Sequence, residues 1–277
     1  MTDIRKNLTI LIFVLSGVLA SLLVLNFKKI EKDQKAQILD LKQNPTVNFP
    51  IKLSNGIVDS FAFKSGSDRI LFYEKLNSII HESSPDGKGK KELVRIPNVL
   101  MTIFSPTGRE LVAAPLEKGI LKNFYFDLEN NKRAELPKNM VSPAFSPDGT
   151  EIAYFAYDDK ISEGHILTSE PDGSNPKVIF KTRIKKLKLS WPEKNLIVLY
   201  SKKEDGGLTS TFSITAMGKE LQRISQEIAT LYHGDNPEEI NITQELGIKT
   251  KDIKLSPLKD YLIFINAKDR KLYSLKI

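Results

Sequence analysis

The chain has 277 residues, with 41 Lys+Arg against 34 Asp+Glu, three histidines and no cysteine, which excludes disulfide staples, a thiol nucleophile and Cys-ligated zinc. At 40% hydrophobic and 27% charged residues, the composition is that of a globular protein with a packed core, not of a disordered chain or a polytopic membrane protein. The net charge of +7 is spread over scattered lysines and gives no reason to expect a nucleic-acid partner.

Residues 1–7 form a short basic tail. From Leu8 to Phe27 runs LTILIFVLSGVLASLLVLNF, twenty residues without a charge, long enough as a helix to cross a hydrocarbon core of roughly 30 Å. The run continues into Lys28 and Lys29 with no shorter apolar region followed by a small-residue cleavage site, so it reads as an uncleaved transmembrane anchor. Arg5 and Lys6 precede it, and Lys28, Lys29, Lys32 and Lys35 follow. A bare charge count puts the following domain in the cytoplasm, but long domains translocate largely regardless of such charges. The expectation is a single-pass membrane protein with its folded domain outside the cytoplasm. Gly17/Ser21 and Ser16/Ala20 have small-residue spacing that could pair two spans, a spacing common by chance. Residues 28–46 are charged and Gln-rich, end at Pro45-Thr46, and read as a stalk or solvated linker.

The rest of the chain repeats. Phe104-Ser105-Pro106-Thr107-Gly108 precedes the apolar run Leu111 to Ala114, and 41 residues on, Phe145-Ser146-Pro147-Asp148-Gly149 precedes Ile152 to Phe155. Phe63 with Ile70 to Tyr73, Leu189 with Leu196 to Leu199, and Leu255-Ser256-Pro257 with Leu262 to Ile265 keep the same frame. In each unit an apolar residue ends a strand, a Pro- and Gly-bearing turn reverses the chain, and an unbroken apolar run follows, as for a strand buried on both faces. A third strand comes about ten residues later, as at Ser78 to Ile80, Phe124 to Phe126 and His165 to Leu167. Turns such as Pro85-Asp86-Gly87 and Pro171-Asp172-Gly173 lead to a more polar fourth strand: Glu92 to Ile96, Arg133 to Leu136, Lys177 to Phe180 and Glu220 to Ile224.

Four strands per unit of about 40 residues is a β-propeller blade. Ile277 ends the fifth unit after its third strand, and the alternating segment Val47 to Leu53 is expected to supply the fourth and close the ring. The predicted architecture is all-β: a five-bladed propeller over residues 47–277, with an insertion at 226–250, preceded by one transmembrane helix. In the insertion, Asn236-Pro237-Glu238-Glu239 reads as a helix start with Gly247 as its stop.

The stretch FSPDGTEIAY at 145–154 resembles the WD-like propeller repeat of the TolB type, which also builds the propellers of prolyl-oligopeptidase relatives. The resemblance spans most of residues 54–277. It implies the fold, a cell-envelope location and protein binding as a common role, and it carries no catalytic residue onto this chain. Trp191-Pro192-Glu193-Lys194 and Leu258-Lys259 depart from the turn pattern.

No reaction is legible. There is no G-x-S-x-G elbow, and the propeller is expected to use the chain to its end, leaving no hydrolase domain. His81, His165 and His233 lack metal-site spacing, and no cofactor is expected. Propellers also scaffold glycosidases that work with paired carboxylates; if the first strand of each unit lines the channel, Asp59 and Asp252 are the acids available to such an enzyme. The stronger candidate is a binding surface: Lys181, Arg183, Lys185, Lys186 and Lys188 on the approach to the fourth blade, with Lys249, Lys251 and Lys254 on the approach to the fifth. Such a patch suits an anionic partner. The expectation is a membrane-anchored, non-catalytic binding or scaffold module for a protein or anionic envelope component, the alternative being an enzyme acting on a glycan or small substrate in the channel.

Overall fold

The computed structural model describes residues 49–202, 208–224, 240–241 and 248–277. The helix expected at Leu8 to Phe27, the stalk, and the helix start at Asn236 to Glu239 lie outside these residues. Among the described residues no helix is long and apolar enough to cross a membrane.

Five sheets of four-stranded meanders follow one another. Blade 1 is β2 (Phe61–Phe63), β3 (Ile70–Glu74), β4 (Ile79–Ser83) and β5 (Lys91–Arg95). Blade 2 is β6 (Val99–Phe104), β7 (Glu110–Glu117), β9 (Phe124–Asp127) and β10 (Lys132–Glu135), with a short β8 (Ile120–Leu121) folded back on β7. Blade 3 is β11 (Met140–Phe145), β12 (Ile152–Asp158), β13 (Glu163–Ser169) and β14 (Lys177–Thr182). Blade 4 is β15 (Leu187–Glu193), β16 (Leu196–Lys202), β17 (Leu208–Ile214) and β18 (Gln222–Ile224).

Blade 5 takes β20 (Lys249–Leu255), β21 (Tyr261–Asn266) and β22 (Leu272–Lys276) from the end of the chain and β1 (Ile51–Lys52) from its beginning. β1 pairs antiparallel with β22, Ile51 opposite Ser274 and Lys52 opposite Tyr273. The ring is therefore closed as the incomplete fifth repeat predicts. Its inner edge carries an addition that the repeat does not predict: β19 (Ile240–Asn241), from the insertion, pairs with β20.

The apolar runs of the second strands are buried or nearly so, as packing on both faces requires. Their side chains alternate between the two neighbouring blades, the period of two that any strand imposes. Leu71 and Tyr73 pack toward blade 2 while Ile70 and Phe72 pack toward blade 5. Likewise Ala153 and Phe155 join blade 4, and Ile152 and Tyr154 join blade 2. Each fully buried large side chain contributes about 2 kcal/mol, so the core is a set of blade-to-blade seams, and no blade is complete without its neighbours.

The Ser-Pro turns are built on the serine. Ser146 Oγ accepts the Glu151 N–H at 3.0 Å while its carbonyl accepts from Gly149 at 2.9 Å, and Ser256 repeats the pattern with Tyr261 and Lys259. The fourth turn position has positive φ in all three turns: +66° at Gly108, +76° at Gly149 and +59° at Lys259, so glycine there removes a steric cost. Gly108 has a second reason, since a Cβ would sit 2.4 Å from the Phe63 carbonyl oxygen of blade 1.

Candidate functional site

First strands touch one another around the axis, β2 with β6, β6 with β11 and β11 with β15, so they are the inner strands. Because the strands alternate in direction, the Ser-Pro turns and the third-to-fourth turns gather at one end of the ring. The second-to-third loops and the connections between blades gather at the other, here called the loop end. Lys181, near the end of β14, and Arg183, Lys185 and Lys186, on the connection from blade 3 to blade 4, stand at the loop end. Lys249 and Lys251 begin β20 at the same end, one blade on.

The structure sorts these cations. Lys181 Nζ lies 3.0 Å from Glu163 Oε1, and His165 Nε2 lies 2.6 Å from the same oxygen; those two contacts hold the Glu163 carboxyl below its usual range. Lys185 lies 3.7 Å from Asp159 Oδ1 and 5.7 Å above the Tyr157 ring. Arg183 and Lys186 are exposed and make no ion pair among the described residues. Lys188 is half-buried and engaged by neighbours, Lys249 is exposed and also engaged, and the Lys251 side chain lies outside the described residues. Lys254 does a different job: its Nζ donates to the Phe61 carbonyl at 2.8 Å and sits 4.6 Å above the Phe61 ring. It ties blade 5 to blade 1.

The inner strands of blades 2 to 4 line a cavity of about 600 Å³, walled by Ile103, Val141, Pro143, Ala144, Leu187, Trp191 and Tyr200, with Ser142, Lys188 and Ser190 as its polar members. Ser142 is held at φ +51° in a bulge of β11, where its Oγ accepts the Leu189 amide at 2.8 Å. Asp252 occupies the matching bulge of β20 at φ +86°. Asp59 is ion-paired to both Lys75 and Arg270, so it joins the loop ends of blades 1 and 5 and its charge is already compensated. Among the described residues no group of three or more His, Asp or Glu side chains is placed to hold a metal ion.

A buried polar constellation went unread in the sequence. Glu74 and His81 are both almost fully buried, with His81 Nε2 3.1 Å from Glu74 Oε2 and Lys90 Nζ 3.2 Å from the same oxygen. The other carboxylate oxygen accepts the backbone N–H groups of Asn55 and Gly56, and Lys90 also donates to the Leu53 carbonyl at 3.2 Å. Residues 53–58 are the strap between β1 and β2. Its far side is bound to blade 5 through Leu53 N to Leu272 O and Val58 N to Arg270 O, each 2.9 Å. The Glu74 cluster thus clamps the closing segment between the first and last blades.

Burial alone would raise the Glu74 pKa, but the Gly56 amide and Lys90 outweigh it and the carboxyl stays below its ordinary value. Burial, aided by Lys90, holds His81 below its ordinary value against the pull of Glu74. His81 Nδ1 and Asn77 Oδ1 are buried without a hydrogen-bond partner. His165 is the half-buried partner of Glu163, and His233 lies outside the described residues.

No protein-family model matches the chain, and no curated protein matches it. Solved structures do. An oligogalacturonate lyase in complex with manganese aligns with a TM-score of 0.53 at 9% identity, covering 84% of this chain and 97% of that one. TolB from Acinetobacter baumannii aligns at 0.45 and 13% identity over 81% of this chain and 64% of that one. The tricorn protease aligns at 0.44 and 11% identity over 81% of this chain, which spans only 20% of that protein. At these identities the likeness is one of fold: the chain is a five-bladed propeller with four-stranded blades, and neighbours of the TolB kind are among those it resembles.

Proposed function

We propose that the chain is a membrane-anchored, non-catalytic propeller that binds an anionic component of the cell envelope at the loop end of its ring. The observation that carries the reading is the pair Arg183 and Lys186, exposed cations without acidic partners on the link between blades 3 and 4, beside Lys181 and Lys185. The acids beside them, Glu163 and Asp159, lie against Lys181 and Lys185, so an incoming anion meets uncompensated positive charge at Arg183 and Lys186. The axial cavity supports a binding role over a glycosidase, because its described lining, mostly apolar with Ser142, Lys188 and Ser190 as polar members, includes no carboxylate where such chemistry needs two. The anchor at Leu8 to Phe27 rests on the sequence, as does the extracytoplasmic placement.

The test is crosslinking in native membranes followed by mass spectrometry, comparing the wild-type chain with a variant carrying Arg183→Gln, Lys185→Gln and Lys186→Gln. The expected result is an envelope component recovered with the wild type, weaker with the variant and weaker at raised salt. Equal recovery from both chains would place the site elsewhere.

A further inference from the structure

Exposed aliphatic side chains crown the loop end that carries Arg183 and Lys186. Leu76, between β3 and β4, is 76% exposed; Ile120, in β8, is 61% exposed; Ile161, between β12 and β13, is 62% exposed. These are the second-to-third loops of three successive blades, and each tip has a lysine beside it: Lys75, Lys118 and Lys160.

The blade 2 tip is a built element. β7 runs past its sheet, turns through Lys118 and Gly119 at φ +51° and +80°, and returns as β8 with Leu116 opposite Leu121 and Glu117 opposite Ile120. Two consecutive positive φ values make the mirror-image turn that matches strand twist, so Ile120 and Leu121 are held outward on paired backbone.

The charges around the tips are unbalanced. Glu117 lies 3.2 Å from Lys122 and 3.3 Å from Arg133, Asp59 is taken by Lys75 and Arg270, and Glu163 and Asp159 are taken by Lys181 and Lys185. Asp158 and Asp269 have no ion-pair partner among the described residues, accepting the Lys160 amide at 2.9 Å and the Lys271 amide at 3.1 Å, and are outnumbered by the free cations. Lys118, Lys160, Arg183 and Lys186 are left without an ion-pair partner among the described residues.

Single aliphatic tips, held apart by lysines on separate loops, are a poor protein interface, since interface cores are depleted in charge and lysine is depleted across them. They suit a bilayer surface, where apolar side chains sink about 5–10 Å into the boundary between headgroups and acyl chains while lysines meet anionic lipid. We infer that the loop end docks on an anionic lipid bilayer, with Leu76, Ile120, Leu121 and Ile161 at the acyl boundary and Lys118, Lys160, Arg183 and Lys186 on the headgroups. This rests on the loop end being the binding end, and names its anionic component as lipid. The segment from Lys28 to Thr46 spans up to roughly 60 Å when extended, against a blade height of roughly 23 Å, so linker length does not prevent an anchored chain from presenting this end.

The chain has no cysteine, so Leu76→Cys, Ile161→Cys and, at the opposite end, Met217→Cys each carry one environment-sensitive fluorophore. The full chain is reconstituted with phosphatidylcholine vesicles, or with vesicles in which about one third of the lipid is phosphatidylglycerol, each containing lipid-borne nitroxide quenchers. The expected result is several-fold stronger quenching at 76 and 161 in the anionic vesicles, lost in high salt, with the probe at 217 unaffected. Each cation near the surface is worth roughly fivefold in partitioning, so Arg183→Gln with Lys186→Gln lowers insertion roughly 25-fold. Probes at 76 and 161 that stay as wet on anionic as on neutral vesicles overturn the inference, as does equal quenching at 217. If the probes stay wet while the charge variant still loses its envelope crosslinks, lipid falls as the partner and the binding end stands. A protein crosslinked at 161 without quenching has the same meaning. Quenching undiminished in the charge variant counts against the headgroup contacts and the proposal as stated.

Discussion

Replacing Glu74 tests whether the strap between β1 and β2 is clamped by a buried carboxylate. In Glu74→Gln the side-chain carbonyl still accepts from Asn55 and Gly56, but the new amide faces Lys90 without a charge to offer. Losing one partner of a buried ion pair costs about 3–5 kcal/mol; because the Lys90 side chain is 28% exposed, solvent reduces this to about 2–3 kcal/mol. Glu74→Ala also orphans two backbone N–H groups, adding about 1–3 kcal/mol. For a domain of this size each kcal/mol moves the midpoint by about 2–4 °C, so the Gln variant should melt roughly 5–10 °C lower and the Ala variant lower still. Circular dichroism on heating reads the midpoint, and hydrogen exchange at the Asn55 and Gly56 amides reads the clamp. If both variants melt within ~1 °C of wild type and those amides stay protected, the clamp does not hold the ring.

Acid should open the same clamp in two steps. His81 resists protonation in the fold, so below its ordinary 6.5 the unfolded chain binds a proton the native chain refuses, and stability falls as pH drops through that value. Glu74 titrates low in the fold, so its contribution is intact above its ordinary 4.5 and disappears at more acid pH; melting points across pH should show both steps, with His81→Gln lacking the upper one. Gly108→Ala should cost at least about 2 kcal/mol through its clash and positive φ, against about 1 kcal/mol for Gly66→Ala, where φ is +71° but nothing lies within 4 Å; urea midpoints compare them, and equal costs would deny the close approach of blades 1 and 2. Deleting Val47 to Leu53 should leave β22 unpaired and produce aggregates on gel filtration; a monomer of unchanged stability would refute closure by β1.

The blades were legible because a fixed turn and a doubly buried strand recur at one spacing, and each recurrence is a local pattern. Where the turn pattern failed, at Trp191-Pro192-Glu193, β15 continues to Glu193 with an irregular register, and Trp191 is buried in the seam between blades 3 and 4. The β8 hairpin had its signal in Lys118-Gly119 between Leu116-Glu117 and Ile120-Leu121, obscured by the expectation of four strands per blade. β19 had none, since two residues cannot show a period. The candidate site was legible as composition only: a basic run can be read along the chain, but which of its members is neutralised depends on Asp159 and Glu163 across the sheet, and only the fold shows that Lys254 is occupied at Phe61. The Glu74 clamp was illegible for the same reason, its parts coming from the strap, two strands and the turn before β5.

The measurement that bears most directly on the binding end is site-specific photo-crosslinking of the full chain in its native membrane, with the photoreactive residue in place of Lys186 at the loop end or Lys132 at the opposite end. Both lysines are exposed and neither has an ion-pair partner among the described residues, so they differ chiefly in which end of the ring they occupy. The account predicts adducts at position 186 that fade as salt rises, and none at 132. Adducts confined to 132, or equal at both positions and insensitive to salt, would contradict it.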